Sequence, residues 1–582
     1  MDRKSEGSDR PHPTFFKSVR NYFREYCNCS SIHGFRYFGE KRTYFERPAA
    51  QLISRPHMRY FEALTLILTS SLPYTKFNAF FIIKMFLFLF FVRVWWFIVF
   101  SMTLAGCVIA IMEVYKKWVR SPVIVSFATR ETPIYSIPFP AVTICPQAKS
   151  IQSLYNHTLM MRKHIEKKPL TEREQKLLDY MGLICDKNRI VKFSDTPIFT
   201  EKFYEVLEEI GRIEMFLGCE YMGEVQECHD IFKPIITDEG ICFSFNMMDR
   251  SEIYDDNVVF YKNFNEMENL TGNTWSMEDH YSNEAGLYPY PRRALLAGAK
   301  NSLNLLLLTS KSHTDSSCKE SLNGFKVTLH IPMRVPRPSQ QYFRVPLNQV
   351  LTAAVQPVMI TTSDSVKSYK PARRECYFPS EKKLKYFKIY TALNCKFECL
   401  TNYTLYYCGC VNYFMPRDNN TDICGIGNLS CMEEAEKRLQ LGSLHNKLDK
   451  LSRRHNRSED GEELRDCDCM PMCTDLSYDV DISQSDWYWL DYERAFSKDG
   501  ELGFEKDEFH LSRLTLYFKS TRFITSQRHE LYGPTDFLAN FGGLLGLFTG
   551  FSVLSLMEAI YFLTVRLCCN SKLYGYWAGP ES

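Results

Sequence analysis

Two long apolar runs, one toward each end of the chain, bracket a mostly polar middle. The first covers residues 77–111. As one helix it would be roughly 52 Å long, well beyond a ~30 Å hydrocarbon core. Lys84 and Arg93 divide it. The piece from Phe77 to Val92 carries Lys84 near its middle, which is costly in lipid. The piece from Val94 to Tyr115 has Trp95, Trp96 and Tyr115 near its ends, in the manner of an aromatic belt, so the first span is expected at 94–115. The second is expected at 536–565. Between them the periodicity is mixed. Ser121 to Cys145, rich in β-branched residues and prolines, reads as strands, and Phe325 to Pro332, Tyr342 to Val345 and Leu511 to Phe518 alternate as strands do. Glu172 to Met181 and Thr200 to Phe216 have helical spacing. The segment from Cys395 to Cys431 reads as a cross-linked knot, and Glu433 to Arg465 as an exposed helix followed by a loop. The expected fold class is therefore a membrane protein with two transmembrane helices and a large disulfide-rich α+β extracellular domain.

Charge and cysteine usage orient this arrangement. A net charge of +2 implies no nucleic-acid partner. Of the 21 cysteines, 16 lie from Cys145 to Cys473, together with sequons at Asn156, Asn269, Asn402, Asn419, Asn428 and Asn456. That combination points to an oxidising, extracellular compartment, so the cysteines read as disulfides rather than a zinc site, although spacing leaves the pairing open. Residues 1–76 hold 13 Lys and Arg against 7 Asp and Glu, and Arg566 and Lys572 follow the second span. By the positive-inside tendency both termini are cytosolic, with 116–535 outside. The first thirty residues have no apolar core of signal-peptide type, so targeting falls to the first span. Cys27, Cys29, Cys568 and Cys569 are then juxtamembrane thiols, read as free rather than palmitoylated.

The second apolar run carries unusual chemistry. Gly542, Gly546 and Gly550 recur every four residues and share one helix face, which alone would be an ordinary helix-packing stripe. Glu558 lies inside the run, however, and an intramembrane carboxylate is by default a functional candidate. On a straight helix Glu558 falls about 80° from Gly550, with Ser552 and Ser555 further round. Both stripes cannot face one axis, so a break is expected near Gly550-Phe551-Ser552. The outer half would then present glycines to close packing, and the inner half would present hydroxyls, carbonyls and carboxylates to a cation.

These segments resemble the degenerin/epithelial sodium channel family, in its insect pickpocket branch. The matching stretches are His33-Gly34, FPAVTICP from Phe139, GICFSFN from Gly240, the cysteine-rich run from Cys376 to Arg417, CDCMPMCTDLSY from Cys467, and the second span. The resemblance implies a homo- or heterotrimer in the plasma membrane, passing Na⁺, blocked by amiloride-type compounds, without cofactor or resident metal. Its ectodomain would be the hand-like fold of acid-sensing and epithelial sodium channels. Gly550, Phe551 and Ser552 would form the selectivity constriction; Asn540, Gly543, Gly546, Ser555 and Glu558 would line the pore. His33, Gly34 and Ala539 would act in gating. Cys145, Cys242, Cys376, Cys395, Cys399, Cys408, Cys410, Cys467, Cys469 and Cys473 would form disulfides. The chain departs from the family pattern at Asn540, where many members carry aspartate, at Tyr561, where some do, and in residues 48–93, an atypical stretch between FGEKRTYFER and VWWFIVF that reads as a translated intron or gene-model error in preference to a genuine insertion. The domains expected are thus a cytosolic segment 1–93, a span 94–115, an ectodomain 116–535, a span 536–565 and a tail 566–582.

Two other readings compete. A two-span adhesion or receptor glycoprotein would tolerate any apolar second span, whereas this one has the glycine ladder, Ser552 and Glu558. A non-conducting or obligate partner subunit of a heteromeric channel would share every motif. An enzyme is disfavoured, because no nucleophile–base pair, metal signature or phosphate loop stands out.

Overall fold

The computed structural model describes residues 15–30, 74–185, 199–266, 274–282, 285–313, 315, 317–319, 322–452, 467–496 and 508–577. The chain falls into two compact units, one of residues 1–124 with 530–582 and one of residues 125–529. His33 and Gly34, most of 48–93, and the sequons at Asn269 and Asn456 lie outside the described residues.

In the first unit, helix α1 covers Phe15–Cys29 and α2 covers Tyr74–Arg120, 47 residues in length. As a helix, α2 runs through both Lys84 and Arg93, while its membrane-length apolar stretch begins at Val94, just after Arg93. Nothing local interrupts it: no proline lies within α2, and its one glycine is Gly106. Pro122 follows the helix end and cannot extend it. Among the described residues, two helical stretches are long and apolar enough to cross a membrane, Val94–Arg120 and Val553–Leu573. The second half of the unit is α8 (Pro534–Thr549), α9 (Val553–Leu563) and α10 (Val565–Tyr574).

The second unit is built on two main sheets. The eight-stranded sheet runs β1-β15-β12-β14-β9-β3-β4, with β13 also paired to β12. Its strands are β1 (Val123–Pro133), β3 (Phe216–Tyr221), β4 (Glu224–Gln226), β9 (Leu303–Ser310), β12 (Gln349–Thr362), β13 (Asp475–Asp486), β14 (Phe509–Phe518) and β15 (Arg522–Glu530). The five-stranded sheet runs β11-β10-β2-β6-β5, from β2 (Ala141–Pro146), β5 (Phe232–Thr237), β6 (Gly240–Phe245), β10 (Phe325–His330) and β11 (Phe343–Val345). A two-residue hairpin, β7 (Trp275–Ser276) with β8 (His280–Tyr281), stands apart. Every residue of β2 and β6 is buried, which explains why their sequences read as continuous apolar runs rather than alternation. Helices α3 (His157–Ile165), α4 (Glu172–Cys185) and α5 (Lys202–Gly211) complete one side, and α6 (Ala392–Cys408) pairs with α7 (Leu429–Ser452).

Eight disulfides staple this unit, and all ten cysteines expected to be bridged are in them. Three bridges, Cys145–Cys242, Cys185–Cys318 and Cys219–Cys228, tie strands and helices around the two sheets. Five gather around α6: Cys376–Cys473, Cys395–Cys469, Cys399–Cys467, Cys408–Cys431 and Cys410–Cys424. The local reason is periodicity. Cys395 and Cys399 are four apart on α6 and share a face, while Cys467 and Cys469 flank a tight turn in which Cys469 N donates to Cys467 O at 2.7 Å, so both can bridge to that face.

Behind β2 and β10 lies a buried charge cluster. Glu239, in the turn joining β5 to β6, is fully enclosed by three lysines. Lys326 Nζ is 2.9 Å from its Oε1, and Lys149 and Lys319 Nζ are 3.6 and 3.8 Å from its Oε2. Lys149 also donates to Pro146 O at 2.7 Å, and Lys326 faces the Tyr342 ring at 4.6 Å. Burial by itself raises the Glu239 carboxyl, but the three ammonium groups outweigh it and hold the acid at about 2. Burial lowers Lys149 to about 7 in spite of Glu239. Breaking one partner of such a cluster leaves an uncompensated buried charge.

The sequons separate in the structure. Asn402 and Asn419 are exposed. Asn156 is half-buried and caps α3, its Oδ1 accepting from Leu159 N at 2.8 Å. Asn428 turns its Nδ2, the atom a glycan would occupy, toward Cys410 Sγ at 3.3 Å.

Two outcomes follow for the purified protein. Lys149 is depressed in the folded state, so the unfolded chain binds the extra proton and stability rises from about pH 7 toward the ordinary lysine range. Glu239 is depressed too, so its contribution is whole above the ordinary carboxylate range and disappears as pH falls toward 2. Melting temperature should therefore climb between pH 7 and 9 in the parent and stay level in Lys149→Met. Separately, Asn402→Gln and Asn419→Gln should each remove one glycosidase-sensitive mass step on gels, whereas Asn428→Gln should remove none.

Candidate functional site

The break expected in the second apolar run is present at Gly550-Phe551-Ser552. It begins with an ordinary helix start: Pro534 occupies the first turn of α8, where its missing N–H costs nothing, and Asp536 Oδ2 accepts from Gly533 N at 3.3 Å. Asn540 Nδ2 donates to Asp536 O at 2.9 Å, one turn back. Ala539, Asn540, Gly542 and Gly543 are exposed in the single chain. A Cβ added at Gly542 or Gly543 would meet nothing among the described residues. The glycine ladder is therefore not the seam that joins α2 and α8. That seam uses aromatic rings instead: Phe548 Cε1 lies 3.4 Å from where a Cβ of Gly106 would be, and the Trp118 and Phe537 rings sit 5.1 Å apart.

The end of α8 is set by Gly550, whose φ is +68°, in the left-handed region that disfavours any residue with a Cβ. Its N–H still closes on Gly546 O at 2.9 Å, and the chain then turns back far enough for Phe551 O to lie 3.8 Å from the Cβ position of Gly546. A Cβ at Gly546 would meet that carbonyl only at ordinary van der Waals distance, so the turn itself demands glycine at Gly550 and not at Gly546. Ser552 restarts the helix. Its hydroxyl accepts from Ser555 N at 3.3 Å, while Ser555 Oγ accepts from Ser552 N at 3.1 Å, so the two serines cap each other's orphan N–H groups. Ser555, expected to line a pore, is thus fully buried in the single chain and used as a cap, and Ser552 is the exposed hydroxyl of the pair. Glu558 is half-buried on α9, one and a half turns further on.

The consequence is a local reversal of polarity. The last carbonyls of α8 form the partly negative end of one helix dipole, and the positive end of α9 is muffled by its serine caps. A short stretch of non-helical backbone at such a depth is tolerated where it is buried in protein or lines a water-filled cavity. Carbonyl and hydroxyl oxygens are what a hard monovalent cation needs in place of its water.

The chain matches the family described as the amiloride-sensitive sodium channel over residues 82–562, from within α2 to the last turn of α9. It belongs to that family. Pickpocket protein 28 of Drosophila melanogaster is 28% identical over 498 residues, covering 82% of this chain and 75% of the relative. Sodium channel protein Nach of the same organism is 22% identical over 471 residues, covering 79% of each, and degenerin deg-1 of Caenorhabditis elegans is 21% identical over 404 residues, covering 68% of this chain and 42% of the relative. The chain is accordingly a channel subunit and not an enzyme, and its two apolar helices and eight-disulfide domain agree with a two-span membrane protein. The matched residues take in 82–93, the last part of the segment read as atypical, and leave out His33-Gly34.

Sequence reading missed the reciprocal serine cap and the aromatic seam between α2 and α8. Ser552 and Ser555 stand three apart at a helix start, which is the spacing of a capping box with serine in the acid's place.

Substituting Gly550→Ala should cost about 1–2 kcal/mol through the left-handed turn, seen as a lower melting temperature of the purified protein. Gly543→Ala, in an ordinary helical conformation with open space around it, should be neutral or slightly stabilising.

Proposed function

We propose that this subunit assembles, as a trimer with itself or with related subunits, into a Na⁺-selective, amiloride-blocked channel of the plasma membrane with both chain ends in the cytosol. The observation that carries this reading is the break between α8 and α9, which concentrates backbone carbonyls and the exposed Ser552 hydroxyl at one level of an otherwise apolar helix. In a trimer, three such breaks around one axis make a ring of oxygens, and three Glu558 carboxylates below it repel anions. The open space beside Gly542 and Gly543 suits either a neighbouring subunit's helix or water along the outer half of the pore. Ala539, exposed on α8, stands where a larger side chain would wedge neighbouring helices apart and hold the path open.

Whole-cell recording tests this. Expressed with and without residues 48–93, the chain should give an inward Na⁺ current blocked by amiloride in at least one form. Ala539→Phe should raise resting current several-fold. Ser552→Ala should move the reversal potential under mixed Na⁺ and K⁺ on the order of tens of millivolts. An unchanged reversal potential removes Ser552 from the selectivity role. No current in either form, with Ala539→Phe present and surface delivery verified, reduces the chain to a partner that conducts only with other subunits.

A further inference from the structure

Helix α1 carries a face that none of the roles above uses. Ser18, Tyr22, Glu25 and Tyr26 recur at intervals of four, three and one, so they share one side of the helix. That side meets the far end of the second span, more than 500 residues away in sequence. Tyr22 Oη donates to Phe562 O at 2.6 Å. The Tyr22 and Tyr26 rings stand edge-on to the Phe562 ring at 6.1 and 5.2 Å, and Phe562 is buried. Glu25 forms an ion pair with Arg566, whose guanidinium lies over the Phe562 ring at 4.6 Å. Ser18 bonds to Tyr576, and Phe15 and Tyr22 lie 6.1 and 5.8 Å from Trp577.

The position of these contacts matters more than their number. Between α9 and α10 the chain leaves helical geometry at Thr564, with φ −123° and ψ −75°. Phe562 belongs to the last turn of α9, where carbonyls have no partner within the helix, and Tyr22 supplies one. Arg566 belongs to the first turn of α10, and Glu25 holds it. Tyr22 and Glu25 are three residues apart on α1, so one rigid helical turn grips the chain on both sides of the bend.

We infer that α1 is a latch on the inner end of the second span: docked, it fixes the bend at Thr564, and undocked, it lets α9 and α10 realign and changes the width of the conducting path one turn beyond Glu558. The latch rests on the reading of α9 as pore-lining only for its effect on current. Docking itself is independent of it. Tyr22 and Glu25 are positioning residues, acting on the path through Phe562 and Arg566.

A charge swap combined with thiol labelling tests both parts. Ser18 is buried, so Ser18→Cys, with Cys27, Cys29, Cys568 and Cys569 replaced by serine, reports whether α1 is docked. It should react slowly with a small maleimide applied from the cytosolic side. Glu25→Arg or Arg566→Glu alone should speed labelling at least tenfold and change the resting current. The double swap, Glu25→Arg with Arg566→Glu, should restore slow labelling and the parent current together. Fast labelling without the swaps, or a double swap that labels as fast as the single ones, overturns the latch. Restored labelling with currents identical in all four proteins overturns its action on the path. A parent without current under any condition counts against the channel reading instead, and slow labelling that the swap abolishes and restores still upholds the latch.

Discussion

A helix in hydrocarbon has nowhere to place an unpaired backbone group, and the second span breaks that rule for three residues. Everything of functional interest in the first unit is arranged about that exception. Gly550 accepts the left-handed turn, and the Ser552 and Ser555 hydroxyls each take up the other residue's N–H. A straight helix of the same composition would only anchor the chain.

The second unit solves a different problem. It is a large, loop-rich domain in which one contiguous apolar core is reinforced by cross-links that hold its segments in register. Cross-links between segments tens of residues apart restrict the unfolded chain, each contributing roughly 3–5 kcal/mol in the chain-entropy account. The cluster at Glu239 shows the same preference for fixed geometry over simple apolar packing. Replacing such a group by hydrocarbon is often no loss of stability, so its presence points to a constraint other than stability alone.

Much of this was readable from the chain. The break at 550–552 follows from two stripes, glycine and polar, that a straight helix cannot aim at one axis. Bridged cysteines follow from their company of sequons, although only the structure pairs them, because spacing leaves Cys395 and Cys399 free to choose among Cys467, Cys469 and others. The single passage of α2 through Lys84 and Arg93 was not legible: the cost of a charge in lipid argues about where a membrane lies, and not about where a helix ends. Within the single chain Ser555 is buried and caps Ser552, a role its side-chain chemistry alone does not announce. The face of α1 was invisible for another reason, since its partners stand at the opposite end of the chain and no local pattern announces them. At Asn428 the sequon is intact, but its nitrogen is turned inward.

The uninterrupted α2 has a mechanical corollary. At 47 residues it is a rod of about 70 Å, more than twice the thickness of the hydrocarbon layer. With no proline to absorb flexure, such a rod transmits tilt as leverage. A rotation of about 5° about one end sweeps the other through roughly 6 Å, comparable to a full turn of helix.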